Sequence, residues 1–126
     1  MAGELTESVR RMLDALDRGD ADAAIEMLGS DAQGIDEVSR AWIRGSAELG
    51  AYIRQLIDTV EDVHSEISDV HETHWGDTGV VTFWLEQDYT VEGRREHVSA
   101  PTSYVLRRED GKWKLALGHS VPLPPP

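Results

Sequence analysis

Cysteine is absent from the 126 residues, which excludes disulfides and thiolate chemistry and leaves nothing to mark an oxidising compartment. Aromatic side chains make up only 6% of the chain, with a single phenylalanine, and no uninterrupted apolar run approaches a bilayer span. No basic segment followed by an apolar stretch opens the sequence, so the reading is an untargeted, cytoplasmic protein. Positive charge is scarce as well. Twelve Lys and Arg stand against 24 Asp and Glu, a formal charge of −12, and that field repels phosphate backbones and anionic headgroups. Neither nucleic acid nor a membrane is an expected partner. Proline is confined almost wholly to Pro122-Leu123-Pro124-Pro125-Pro126, a run that favours extended backbone and follows a globular part ending near Val121.

What is present suffices for one domain over residues 1–126, since a 40% apolar chain of this length can bury an ordinary core. Leu5, Val9, Met12, Leu13 and Leu16 recur at helical spacing, and Gly19 can take the left-handed conformation that ends a helix. Asp20 then offers a carboxylate to the first free amides of a second helix carrying Ala24, Ile25 and Leu28. Ser46 is read as the cap of a third helix, whose stripe of Leu49, Tyr52, Ile53, Leu56, Ile57 and Val60 must face a core.

From Val63 the period changes to alternation. Four strands are predicted at about Val63–Trp75, Val80–Val91, Arg95–Arg108 and Lys112–Ser120, joined by turns at Gly76-Asp77-Thr78-Gly79, Glu92-Gly93 and Glu109-Asp110-Gly111. On the second of these, Val81, Phe83, Leu85, Tyr89 and Val91 share one face, and Thr82, Trp84, Glu86, Asp88 and Thr90 the other. Three helices followed by an antiparallel meander give an α+β layer architecture, a curved sheet wrapping the helices with a cavity at one end.

The helix-Gly-Asp-helix corner, Asp31-Ala32 with Asp36, Trp42-Ile43-Arg44-Gly45, and Asp110-Gly111-Lys112-Trp113-Lys114 running to His119-Ser120-Val121-Pro122 together resemble the SnoaL-like group of the nuclear transport factor two-like superfamily, which also holds the ketosteroid isomerases. The resemblance implies a cystatin-like conical α+β barrel, usually a homodimer through the outer sheet face. It also implies that Asp36 occupies the place of the isomerases' general base, that Met12 stands where they carry an oxyanion-holding tyrosine, and that Tyr104 falls near their second, acidic donor. A thioether cannot donate a hydrogen bond to an enolate, so steroid isomerisation is not expected, whereas the Tyr104 phenol can donate. In an apolar cavity the Asp36 carboxyl would gain a raised pKa, as a base working near neutrality needs.

His119 is read as ending an apolar face made by Trp113, Leu115 and Leu117, either lining the cavity or serving structure. Trp42, Tyr52 and Tyr89, with Met12, are candidate ligand-binding walls, and Trp84, opposite the helix-facing residues of its strand, is a candidate dimer contact. Three functions stay open: acid/base chemistry on a small apolar molecule by Asp36, Tyr104 and His119, ligand binding without turnover, and association through the sheet face. His71-Glu72-Thr73-His74 is not a zinc motif, because its histidines are three apart on a strand rather than four apart on a helix. No dinucleotide glycine motif, nucleophile elbow or metal-spaced cluster appears, so no cofactor or metal is expected.

Overall fold

The computed structural model describes residues 3–36 and 39–122. Two helices, α1 (Glu4–Asp17) and α2 (Ala21–Glu26), precede a hairpin of β1 (Leu28–Asp36) and β2 (Ala41–Arg44). Helix α3 (Ser46–Thr59) then leads into β3 (Val60–Trp75), β4 (Thr78–Val91), β5 (Arg94–Glu109) and β6 (Lys112–Ser120). One open six-stranded sheet results, in the order β2-β1-β6-β5-β4-β3. Strands β3 to β6 pair antiparallel in chain order as the predicted meander, with starts shifted by no more than three residues.

The α1–α2 corner forms by the expected local chemistry. Gly19 has φ +72°, the Asp20 amide donates to the Ala15 carbonyl at 2.9 Å, and the Asp20 carboxylate accepts from the Ala23 amide at 3.1 Å. The other end of α1 is closed from the sheet. The Glu72 carboxylate accepts from the Thr6 amide at 3.1 Å and from the Thr6 hydroxyl, placing a negative charge where α1 carries its unpaired N–H groups. Leu5, Val9 and Leu13 of α1 pack with Val81, Phe83, Leu85 and Leu106, while Met12 and Ala15 join Ala24, Leu28, Ala32, Ile43, Leu49, Ile53 and Leu115.

Three local expectations change. The segment after α2 is not a connection but the hairpin β1–β2, and β1 lies parallel to β6, so two strands extend the meander. Gly45, not Ser46, is the N-cap of α3, with φ +90° and no side-chain cap bond. The α3 stripe is narrower than its sequence suggests: Leu49 and Ile53 are buried, but Leu56 is 41% exposed, because α3 rests on α2 and β1 near one edge of the sheet. Two bulges in β3, at Asp62 and Asp69 with φ +50° each, bend the sheet around α1.

Candidate functional site

The start of α1, the end of α2 and the β5–β6 turn enclose an open cleft of about 720 Å³, lined among others by Glu4, Glu7, Arg11, Lys112, Trp113 and Lys114. Beneath it, between α1 and the sheet, lies a void of about 30 Å³ walled by Met12, Tyr104, Leu106 and Leu115. Cleft and void share Ser8, Arg11, Met27 and Trp113. The void has room for about one water molecule, whereas small-molecule pockets run from about 300 to 1,000 Å³. The void is therefore too small for an organic ligand, whereas the open cleft above it is of ligand size.

Each wall has a local cause. Trp113 and Leu115 point to the helix side of β6, and the Trp113 indole N–H donates to the Glu4 carboxylate at 3.3 Å. The Arg108 guanidinium, on the paired residue of β5, stacks over the indole at 4.6 Å. The Lys114 ammonium donates to the Glu26 carbonyl at the C-terminal end of α2, and the Leu115 amide donates to the Met27 carbonyl at 2.8 Å, so β6 and α2 close one wall together. Arg11 reaches Ser8, whose hydroxyl bonds the Glu4 carbonyl. Arg11, Lys112 and Lys114 balance Glu4, Glu7 and Glu26. In a chain with twice as many acids as bases, that makes this rim unusually rich in positive charge.

The residues singled out from sequence are only partly brought together. Met12 and Tyr104 border the void, and the Tyr104 ring stands edge-on to Phe83 at 5.4 Å. Asp36 ends β1 on the helix-facing side, in line with Ala32 and Gly34; Ser39 donates to its carboxylate at 3.0 Å. Asp36 and Tyr104 share that side but stand on strands separated by β6. Over the glycines between them the space is taken: a Cβ at Gly34 would meet Leu49 at 3.3 Å, and one at Gly118 would meet the Tyr104 ring at 3.2 Å. Trp42 pairs with Ile35 and turns to the outer face, 52% exposed beneath the Arg44 guanidinium. Tyr52 packs beside the cluster around Met12 and Ile53, and Tyr89 lies opposite Glu96, far along β4.

His119 does not continue the face of Trp113 and Leu115. A bulge places Leu106 opposite Leu115 but Val105 opposite Leu117, so parity reverses within β6 and His119 emerges exposed beside Ser103 on the outer face. Trp84 is also on the outer face but is half-buried, its N–H donating to Glu86 and Ser99 at 2.8 Å each. The same face carries a constellation not anticipated from sequence. The His97 ring meets the Asp88 carboxylate through Nδ1 at 2.8 Å and the Glu86 carboxylate through Nε2 at 2.7 Å. The bond to Asp88, and then the bond to Glu86, raises the His97 pKa above its ordinary 6.5. Ser99 chiefly lowers that of Glu86, and His97 that of Asp88. Ser99 donates to Glu86 rather than to His97, so the cluster is not a nucleophilic triad. Among the described residues, no group of three or more His, Asp or Glu is placed to hold a metal ion.

Lys112 and Lys114 were missed as site residues, though a signal existed: they are the chain's only lysines, and they flank one tryptophan.

Residues 6–124 match the SnoaL-like domain family. No curated protein matches the sequence. Among solved structures, a candidate dehydratase of the nuclear transport factor two-like family from Streptomyces avermitilis superposes with a TM-score of 0.87 at 18% identity, over 97% of this chain and 96% of that one. A ketosteroid isomerase-like protein from Erwinia carotovora atroseptica gives 0.83 at 22%, over 97% and 95%. A candidate calcium/calmodulin-dependent protein kinase II association domain from Xanthomonas campestris gives 0.84 at 19%, over 96% and 86%. At these identities the likeness is one of fold.

Proposed function

Because the chain belongs to the SnoaL-like domain family, we propose that it binds a small amphipathic organic molecule in the cleft beside Trp113, with the molecule's apolar end directed at Met12 and Tyr104. The observation that carries this reading is the shared wall of cleft and void, which leads from a charged rim to an apolar floor with one phenol beneath it. Tyr104 is the hydrogen-bond donor of the site. Asp36 and Tyr104 stand on strands separated by β6, and His119 lies on the outer face, which supports binding without turnover over a shared acid/base site.

The test is an NMR titration with naphthalene-2-carboxylate as probe. Saturable shifts centred on Ser8, Met12, Met27 and Trp113, weakened when Lys112 and Lys114 are both changed to Glu, support the proposal. Shifts centred elsewhere, or none at millimolar probe, remove it.

A second reading concerns assembly. Val80, Val105 and Leu117 are directly paired across β4, β5 and β6 and form an apolar row on the outer face, near Trp84 and Pro101. We propose that a second copy of the chain packs there.

A further inference from the structure

Beyond Leu85 and Ala100 the sheet runs past its helical cover. No residue from Glu86 to Val91 or from Arg94 to Ser99 is fully buried, and β6 pairs with β5 only from Thr102 onward. The β4–β5 arm therefore has β3 on one side, no sheet partner on the other among the described residues, and little apolar burial to hold it. In such a segment cross-strand side-chain pairs decide order.

The outer face of the arm supplies one strong set. Glu86 and Asp88 are two apart on β4, so both carboxylates project from one face, and His97 stands directly opposite Asp88 and diagonal to Glu86. One imidazole thus spans both acids. Glu86 is itself held by the Trp84 indole and the Ser99 hydroxyl, which anchors the set to the part of the sheet where Leu85 and Ala100 are buried.

We propose that His97 is a proton-operated latch that ties the far ends of β4 and β5 together. Both bonds need both ring nitrogens to donate, which only the imidazolium does. With the proton gone, one nitrogen turns a lone pair toward a carboxylate, and one bond becomes a repulsion. The bonds hold the proton on His97 above the ordinary histidine range and keep both acids ionised below theirs. The latch is therefore closed from above the carboxylate range up to the histidine's raised value, and opens as pH climbs through it. The other charged groups facing the cluster are Arg95 on β5, whose guanidinium donates to the Asp62 carbonyl and the Thr90 hydroxyl, and His64 and Glu66 on β3, bonded to each other at 3.2 Å. Of these, His64 is the other imidazole facing the cluster and is the necessary control.

The experiment is amide hydrogen exchange by NMR on the full chain from pH 5 to 9, each rate corrected for its intrinsic pH dependence. Protection at Asp88, Tyr89, Glu96, His97 and Val98 should fall about two- to five-fold across the His97 titration, the scale of an exposed ion pair, while Val81 and Leu106 hold theirs. His97→Gln should abolish the step, Asp88→Asn should move it to lower pH, and His64→Gln should leave it in place. A step that survives His97→Gln, disappears with His64→Gln, or spreads equally over the whole sheet overturns the latch.

Discussion

Gly79, the second residue of β4, stands opposite His74, and a Cβ there would overlap the Leu5 side chain, which is 1% exposed and has no room to turn away. Gly79→Ala is expected to cost about 1–3 kcal/mol, the usual range for overpacking a filled core, as a lowered urea midpoint at unchanged slope. A loss below about 0.5 kcal/mol would mean that Leu5 yields, against its burial. This glycine shows where residue-level reading stops. Gly19 and Asp20 were legible because a helix terminus is local chemistry, complete within a few residues. Gly79 was equally visible as a turn residue, but its close approach to Leu5, 74 positions earlier in the chain, is set by packing alone. Glu72 is similar: its alternating position on a strand was readable, its bond to the start of α1 was not.

At the scale of elements, the same contrast separates α3 from β1. The α3 stripe named six apolar positions, but the helix lies near a sheet edge and buries only part of it, so Ile53 and Leu56 make a discriminating pair. Ile53→Ala should destabilise by about 2–5 kcal/mol and Leu56→Ala by less than about 1 kcal/mol in chemical denaturation. Equal costs would place both residues in the core and contradict the position of α3. Strand β1 carries Gly29, Asp31 and Gly34 and has little intrinsic strand character. It becomes a strand because β6 and β2 supply its hydrogen bonds, a tertiary cause that periodicity does not record. The bulge in β6 has the same invisibility, and it moved His119 from the expected cavity wall to the outer face. Met12 and Tyr104 were singled out through the family resemblance, and the structure sets both at the wall of one void, whereas the cleft above them depends on how α2 meets β6.

For the molecule as a whole, the convex side of the sheet poses the remaining question of what covers it. Val80, Val105 and Leu117 form one apolar row and Trp84 and Pro101 a second, with Thr82, Ser103 and His119 between them; all five apolar residues are half-buried within the chain, so an isolated copy leaves both apolar patches partly in water. Flat, self-complementary patches of this kind are what a two-fold interface uses, each copy presenting the same residues to the other. The Val80–Val105–Leu117 row lies toward one end of the sheet's outer face and His97 and Asp88 toward the other, so pairing centred on that row need not desolvate His97 and Asp88. Sedimentation equilibrium at micromolar concentration should therefore give a dimer, and Leu117→Asp should convert it to a folded monomer, because a carboxylate in the row would be buried without a partner in both copies at once. Trp84→Asp should weaken the dimer as well, with the added loss of the indole bonds to Glu86 and Ser99. Trp42→Asp, on the β1–β2 hairpin at the sheet's edge, should leave the dimer intact. A monomeric wild-type chain, or a dimer indifferent to Leu117→Asp, would mean that the row stays in water and that the outer face is not where copies meet.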